Sequence, residues 1–298
     1  MSATSSVATG QVYGVQRVCA AWAYPRATYY ATQPDKQKPL TTGKRGPKTT
    51  LNDAALLELI RADLAASPFR GEGHRKVFGR LRYVAGHHVG RNRILRLMRL
   101  HQLLSPHRTT KATAKAHDGR IMTEAPNIRW ATDGTKIWTS DDGWLWLFLA
   151  IEHWNGECLG HHVCKHGDRF AAYEPVAQAI SYVFGSSGAD AARGVELRHD
   201  HGSQYLTDYF QGQSRFHGFT PSFAFVGEPE TNGVVERFNR TIKEQIIHGR
   251  SYRNRDELAT AVTTFVQTYN REWRLEKLRY KSPIEARLAY QAALSLAA

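Results

Sequence analysis

The pattern of apolar residues in this 298-residue chain changes near residue 128, and the change limits the folds open to it. Before it, residues 54–104 place apolar side chains at steps of three and four, which is typical of helices packed through one face. After it, residues 128–138 and 144–151 have the character of strands, joined by Asp142-Gly143, a dipeptide typical of hairpin turns. The sequence therefore predicts a helical front part and a rear part that contains a sheet.

Further strands alternate with helices in the rear part. We predict strands over residues 157–163, 195–199 and 219–226, and helices over residues 232–247 and 254–273. Tyr173, Ala177, Ile180 and Phe184 recur at helical steps and predict another helix. Because Pro175 fits best in a first turn, this helix should begin near Tyr173. The predicted fold class is a mixed α/β sheet.

Charge is distributed unevenly between the two parts. Residues 1–120 contain 21 Lys and Arg against 6 Asp and Glu, a net charge of +15, whereas residues 121–298 have a net charge of −2. The basic front part indicates binding to nucleic acid, with a merely solvated basic surface as the alternative. No run of about 18 apolar residues or secretory signal is recognisable. The three cysteines lack a disulfide or metal pattern, so we expect a reduced, cytoplasmic protein with no membrane partner.

The basic front part divides into small units. We assign a helix-turn-helix (residues 1–31), a linker (32–53), a helical DNA-binding domain (54–107) and a connector (108–126). The candidate DNA-binding residues are Lys44, Arg45 and Lys48 in the linker, and Arg93, Arg96 and Arg99 at steps of three on a helix. For both groups the alternative is a solvated surface that has no role in DNA binding.

Three acidic residues of the rear part occupy positions typical of an active site. Asp133 lies in the first predicted strand, Asp200 ends a short strand, and Glu236 lies on a helix. Carboxylates on strands and an adjoining helix can converge on two divalent cations, and hard oxygen ligands suit Mg²⁺ or Mn²⁺. Taken singly, each acid also has an ordinary explanation as a cap or a surface charge.

The sequences around these acids resemble those of one family. Asp133 lies in Trp-x-x-Asp-x-Thr, Asp200 in Asp-x-Gly-Ser-Gln-Tyr and Glu236 in Asn-x-x-x-Glu-x-Phe, with 35 residues between the last two acids. Together they resemble the DDE motif of transposases in the retroviral-integrase superfamily, in particular the OrfB-type catalytic subunit of bacterial insertion sequences. Residues 54–104 and 282–285 are similar to that family as well.

The resemblance implies an RNase H-like catalytic core over residues 127–250, followed by a C-terminal helical region over residues 251–298. It implies that Asp133, Asp200 and Glu236 hold two Mg²⁺ or Mn²⁺ ions. The implied activity is cleavage of insertion-sequence ends and their joining to DNA. The implied partners are double-stranded DNA, as terminal inverted repeats and target, and further copies of the chain, in the bacterial cytoplasm at the nucleoid.

The chain also departs from the family pattern. Gly134 replaces a common β-branched residue, and Glu152 stands where an Asp often closes the second strand. Before Asp200, the pair Arg198-His199 stands where the family often has His-Ser. The histidine pairs at residues 87–88 and 161–162 lack two partner cysteines. We therefore predict surface or DNA-facing histidines and no zinc.

The helix that carries Glu236 presents two stripes. Val235, Phe238, Ile242 and Ile246 form an apolar stripe, which should pack on the sheet. Arg240 and Lys243 share the neighbouring stripe with Glu236 and predict a clamp for DNA phosphates. The alternative is a simple ion pair between Glu236 and Arg240.

Two other functions are open to the sequence. One is a non-catalytic DNA-binding repressor, with basic helical units attached to an inactive core. The other is an RNase H-like nuclease or resolvase, since one fold hosts many functions. Metal-dependent nicking excludes the first, and strand joining excludes the second.

Overall fold

A computed structural model describes residues 3–32, 51–105, 123–223 and 233–297. These residues belong to two compact units, one over residues 1–50 and one over residues 51–298. The predicted contact residues Lys44, Arg45 and Lys48, and most of the predicted connector, lie outside the described residues. None of the described helices has the length and apolar character needed to cross a membrane.

The first unit contains the two short helices predicted near the start of the chain. Helices α1 (Gly14–Ala21) and α2 (Arg26–Ala31) flank the turn that contains Pro25. Within the described part of this unit, Cys19 is the only buried hydrophobic side chain. The described part of this unit, residues 3–32, therefore has almost no core.

The second unit begins with three helices, called here the helical module (residues 51–105). They are α3 (Asp53–Ala66), α4 (His74–Gly79) and α5 (Arg91–Leu100), and a π-helical turn (Arg80–Val84) extends α4. Their buried apolar side chains form one core, which includes Leu56, Ile60, Val77, Leu81, Ile94, Leu97 and Met98. The side chain of Asn52 caps α3 by accepting a hydrogen bond from the Ala55 N–H at 2.8 Å.

A five-stranded mixed sheet confirms the predicted fold class. Its strands are β1 (Arg129–Thr139), β2 (Gly143–Glu152), β3 (Cys158–Cys164), β4 (Glu196–His199) and β5 (Thr220–Phe223). Their order is β3-β2-β1-β4-β5; the first three are antiparallel neighbours, and β4 and β5 run parallel to β1. The predicted turn joins β1 to β2. Gly143, the first residue of β2, has a φ of +69°, which glycine adopts without strain.

Helices cover both faces of the sheet, which explains the continuous apolar run in β2. Helices α6 (Arg169–Phe184) and α7 (Asp208–Phe216) pack on one face, against Phe148 and Ala150 of β2. Helices α8 (Gly233–Ile242) and α9 (Arg255–Glu272) pack on the other face, against Leu147 and Leu149.

Helix α6 begins four residues before the predicted position. We predicted a start near Tyr173 with Pro175 in the first turn, but α6 begins at Arg169 and contains Pro175 in its interior. The Asp168 carboxylate caps the helix by accepting hydrogen bonds from two N–H groups of the first turn. The carbonyl of Pro175 lies against β3 at Gly160, where an added Cβ would lie 2.0 Å from the carbonyl oxygen.

Helix α10 (Pro283–Ala297) is anchored at its start. The Ser282 N–H donates to the Glu285 carboxylate at 3.0 Å, and the Glu285 N–H donates to the Ser282 hydroxyl at 3.3 Å. This reciprocal capping box spans Pro283, which occupies the first helical position. Further along, Arg287 donates to the buried Glu157 carboxylate of the sheet region at 2.7 Å.

The helical module packs directly against the region between α9 and α10. The ring of Phe69 meets the ring of Trp273 edge-on, with centroids 4.8 Å apart, and Lys76 Nζ lies 3.0 Å from the same Trp273 centroid. Arg91 pairs with Glu276 at 2.8 Å. The helical module and the sheet region therefore form one packed body.

Candidate active site

The three predicted carboxylates lie on three neighbouring elements. Asp133 lies in the middle of β1, and Glu236 lies in the first turn of α8, which packs on that strand. Asp200 directly follows β4, the parallel neighbour of β1. The strand register pairs Ala131 with Arg198, so its continuation brings Asp200 level with Asp133.

Helix α8 is fixed on the sheet by the predicted apolar stripe. Val235, Phe238, Ile242 and Ile246 are all buried in the core that α8 and α9 share with the sheet, which confirms the prediction. Glu236 is half-buried beside this stripe. Packing of the helix thus holds the backbone of Glu236 close to β1.

Asp133 is held by two hydrogen bonds. Its Oδ2 accepts a hydrogen bond from Asn239 Nδ2 at 2.6 Å, and its Oδ1 accepts one from the Gly134 N–H at 2.8 Å. Asn239 lies three residues after Glu236 and therefore one helical turn along the same side of α8. The residues of one helix thus orient one carboxylate and supply another.

The pKa of Asp133 is raised by burial and by the two other acids. Burial is the largest cause that raises this pKa, from an ordinary value of 3.8 to about 6. The negative charges of Asp200 and Glu236 act in the same direction, while the hydrogen bonds from Gly134 and Asn239 oppose the shift. Burial and the neighbouring carboxylates therefore both disfavour the charged form of Asp133.

Asp200 lies at the exposed end of the site, in a tight turn. Its Oδ1 accepts a hydrogen bond from the Gly202 N–H at 2.9 Å. A Cβ added to Gly202 would lie 2.6 Å from the Gln204 amide nitrogen and 2.9 Å from Asp200 Oδ1. The glycine therefore lets the turn fold closely around the carboxylate.

The donor chemistry of the site fits a divalent cation. Carboxylate oxygens are the ligands that Mg²⁺ prefers, and a cation would relieve the repulsion that raises the pKa of Asp133. Among the residues that the structure describes, however, no three His, Cys, Asp or Glu side chains are close enough to hold a metal ion as they stand. The three carboxylates must therefore close up to bind one.

Two departures from the family pattern have structural causes. A Cβ at Gly134 would lie 2.5 Å from the Phe148 ring, so a β-branched residue does not fit against this neighbour. Glu152 is fully buried at the end of β2 and accepts hydrogen bonds from the Trp130 indole at 3.1 Å and the Asn127 N–H at 2.8 Å. Both residues therefore serve the packing around β1 and β2.

Comparisons with known proteins assign the chain to a family. Two family models, both described as integrase core domain, match residues 123–229 and 217–283, and together span more than half of the chain. The matched part of the chain is an integrase core domain. Its mixed sheet agrees with the RNase H-like core that the sequence resemblance implies.

Relatives of this integrase core protein include transposases of insertion sequences. The transposase for insertion sequence element IS629 of Shigella sonnei is 27% identical over 292 residues, which cover 95% of this chain and 94% of that protein. Transposase InsD for insertion element IS2A/D/F/H/I/K of Escherichia coli is 28% identical and covers 72% of each chain. The HTLV-2 integrase catalytic core domain, solved in complex with magnesium, is 18% identical, covers 55% of this chain and 98% of its own, and superposes with a TM-score of 0.42.

The candidate DNA-binding arginines of this integrase core protein differ in their surroundings. Arg93 and Arg96 both bind Asp53 at the start of α3, at 2.8 and 2.5 Å, and Arg93 also donates to the Leu51 carbonyl at 2.7 Å. Both residues therefore contribute to the packing of α5 against α3. Arg99 is exposed in the last turn of α5.

The two cations on the helix of Glu236 lie at its outer side. Arg240 is exposed, and Lys243 is half-buried at the start of a π-helical turn (Lys243–Ile247) that follows α8. Both therefore follow Glu236 along the same continuous helix. Their contact with DNA phosphates stays a prediction.

The prediction for the second histidine pair is wrong at His161. Its Nε2 lies 3.0 Å from the Thr263 hydroxyl of α9, and burial lowers its pKa. His161 therefore faces α9 rather than solvent or DNA, because β3 turns this side chain toward the helix. Asn239, which contacts Asp133, is the residue of the candidate site that sequence reasoning missed, because an asparagine on a helix has no spacing that distinguishes it.

Proposed function

We propose that this protein is a DDE transposase, which cleaves the ends of an insertion sequence and joins them to target DNA by phosphoryl transfer. The observation that carries the proposal is the placement of Asp133 on β1, of Asp200 directly after the neighbouring β4, and of Glu236 on α8, which packs on the same sheet. The transposase named for IS629 aligns along nearly the whole chain, which supports the same function.

In this proposal the three carboxylates hold divalent cations, Mg²⁺ or Mn²⁺, two per site. When bound, such ions activate the attacking hydroxyl and stabilise the charge of the leaving oxygen of a phosphodiester. The chain itself supplies orientation: Asn239 fixes one oxygen of Asp133, and the buried stripe of α8 fixes the backbone of Glu236. Binding of one cation by all three acids requires their carboxylates to lie closer together than they do here.

The DNA partners in this proposal are the terminal inverted repeats of the element and a double-stranded target. The net charge of +15 on residues 1–120 supplies long-range attraction to both. Among the candidate phosphate contacts, Arg99, Arg240 and Lys243 are exposed or half-buried, whereas Arg93 and Arg96 already bind Asp53. We further propose that several copies of the chain bridge the two ends at the bacterial chromosome.

The test is metal-dependent nicking and strand joining on a duplex that carries the inverted repeats flanking the gene. We expect Glu236→Gln to abolish both reactions, because a carboxylate ligand becomes a neutral amide. Its affinity for the duplex should stay within about twofold of wild type, since DNA binding depends mainly on the basic front part. Gel assays of cleavage, joining and binding measure all three.

Glu244→Gln is the matched control, because Glu244 is an exposed acid eight residues along the same continuous helix. This variant should cleave and join as wild type. Undiminished cleavage by Glu236→Gln would remove Glu236 from the site. Cleavage without joining by the wild-type protein would indicate a nuclease, and binding without either reaction would indicate a repressor.

A further inference from the structure

The loop that follows α3 docks on the helix that carries Glu236. The side-chain amide of Gln245 holds the backbone of Arg70 in this loop. The Arg70 N–H donates to Gln245 Oε1 at 2.9 Å, and Gln245 Nε2 donates to the Arg70 carbonyl at 2.9 Å. Gln245 lies in the π-helical turn that continues α8. The contact joins residues 175 apart in sequence and links the helical module directly to this helix.

The preceding residue of the loop anchors it in the core beneath α8. Phe69 is buried in the same apolar core as Val235 and Phe238 of that helix. Its ring meets the Phe265 ring of α9 edge-on, with the two centroids 6.4 Å apart. The loop is therefore attached to the sheet region by one buried ring and by the two hydrogen bonds of Gln245.

Contacts inside the helical module fix the other side of this loop. Glu72 is buried, and its Oε2 accepts a hydrogen bond from the Ser67 hydroxyl at 2.6 Å and pairs with Arg80 at 2.6 Å. Arg80 also donates to both oxygens of the Asp63 carboxylate, each at 2.8 Å. Because this network ties the loop to α3 and to the turn after α4, the contact with Gln245 constrains α8 and not only the loop.

Gln245 and Glu236 lie on different sides of one continuous helix. They are nine residues apart, which is about two and a half helical turns, so their side chains leave the helix in roughly opposite directions. The apolar stripe that includes Val235 and Phe238 holds the helix against the sheet. The loop holds the side away from Glu236 and thereby opposes rotation of the helix about its own axis.

We propose that Gln245 is a positioning residue, which fixes the rotation of α8 through its two hydrogen bonds to the Arg70 backbone and so keeps Glu236 beside β1. This inference rests on the proposed function, because the position of Glu236 matters to the reaction only if Glu236 takes part in it. It gives the helical module a role besides DNA binding, since the loop of the module holds the helix of the candidate site.

The test compares Gln245→Met with the wild-type full chain, because methionine keeps the length of the side chain and removes both hydrogen bonds. Hydrogen exchange of the α8 backbone amides, without DNA or metal, should become about tenfold faster. The cleavage rate at saturating duplex should fall about tenfold, because small displacements of a reacting group are costly. The dissociation constant for the duplex should stay within about twofold of wild type, since no cation is removed.

Gln178→Met is the matched control, because Gln178 lies on α6, on the opposite face of the sheet. Its amide accepts a hydrogen bond from the His161 N–H at 3.1 Å and donates one to Glu174 at 3.2 Å. This variant should lose a similar amount of thermal stability while α8 exchange and cleavage stay as in the wild type. Equally fast α8 exchange in Gln178→Met would indicate general destabilisation and overturn the role of Gln245.

The two measurements separate this inference from the proposed function. If the wild-type protein cleaves the duplex, two results for Gln245→Met would overturn the positioning role alone. One is unchanged α8 exchange, and the other is faster exchange with an unchanged rate of cleavage. If the wild-type protein does not cleave, the proposed function is wrong, and the role of Gln245 in the reaction is wrong with it.

Discussion

The surroundings of Asp133 favour the neutral form of its carboxyl, although the carboxyl is charged at neutral pH. Its pKa of about 6 in the folded protein lies above the ordinary 3.8, so the folded state binds more protons between these values. The contribution of Asp133 to stability therefore falls as the pH rises from about 4 to 6, and stays unfavourable above that window. Without metal, Asp133→Asn should raise the free energy of unfolding by about 1–3 kcal/mol at pH 7.5 and hardly change it at pH 4.

Denaturant unfolding in EDTA at both pH values measures this effect. Asp141→Asn is the control, because Asp141 is an exposed acid in the β1–β2 turn, and its substitution should hardly change the free energy of unfolding. An equal gain for Asp133→Asn at both pH values would contradict the assigned cause.

Substitutions of Arg93 and Arg99 should have different effects on stability and on DNA binding. Arg99→Ala removes an exposed cation, so it should leave the melting temperature unchanged and lower the slope of log affinity against log salt by about 1. Arg93→Ala removes contacts to Asp53 and Leu51 and should lower the melting temperature. Salt titrations of DNA affinity and thermal melts of both variants test these assignments. A lower melting temperature for Arg99→Ala with a reduced salt slope for Arg93→Ala would contradict them.

The acids of the site were predictable from the residues around them, whereas their partners were not. An asparagine on a helix has no distinguishing spacing, and Asn239 meets Asp133 across 106 residues of sequence. The buried pair of Glu157 and Arg287 spans 130 residues. Side chains so far apart are matched only by the packed fold.

At the scale of elements, the strands were predictable because both faces of the sheet are buried, which leaves long apolar runs such as that of β2. The first residue of α6, in contrast, was not predictable from the sequence. A proline inside a helix removes one backbone hydrogen bond, and this rule favoured a later start. The cap at Asp168 and the packing of the Pro175 turn on Gly160 outweigh that loss.

The contact between α6 and β3 predicts opposite effects for two glycine substitutions. Gly160→Ala places a Cβ 2.0 Å from the Pro175 carbonyl oxygen, so it should lower the free energy of unfolding by about 1–3 kcal/mol or more. Gly212→Ala lies in α7 with no atom within 4 Å of the new Cβ, so it should raise that energy by about 0.5–1 kcal/mol. Denaturant unfolding measures both free energies. An unchanged free energy of unfolding for Gly160→Ala would mean that α6 shifts away from β3 at little cost.

At the scale of the whole molecule, the helical module is not the separate body that the change of pattern near residue 128 suggests. Lys76 and Phe69 pack on Trp273 about 200 residues away in sequence, a contact that no local pattern signals. Residues 51–298 should therefore unfold in a single calorimetric transition. Trp273→Ala should lower its midpoint, at a loss of about 3–5 kcal/mol. Two transitions in the wild-type protein would contradict this cooperative unit.

The order of strands in the sheet also has a kinetic consequence. Strands β1, β2 and β3 are consecutive antiparallel neighbours, so they can pair by closing short loops. Pairing of β4 with β1 joins residues 67 apart, such as Arg129 and Glu196, and the contact of Asn239 with Asp133 spans more. Long loops close late during folding, because their entropy is lost before their contacts are gained. We therefore expect Asp200 and Glu236 to approach Asp133 only after β1, β2 and β3 have paired, so a chain arrested at that stage has three strands but no site.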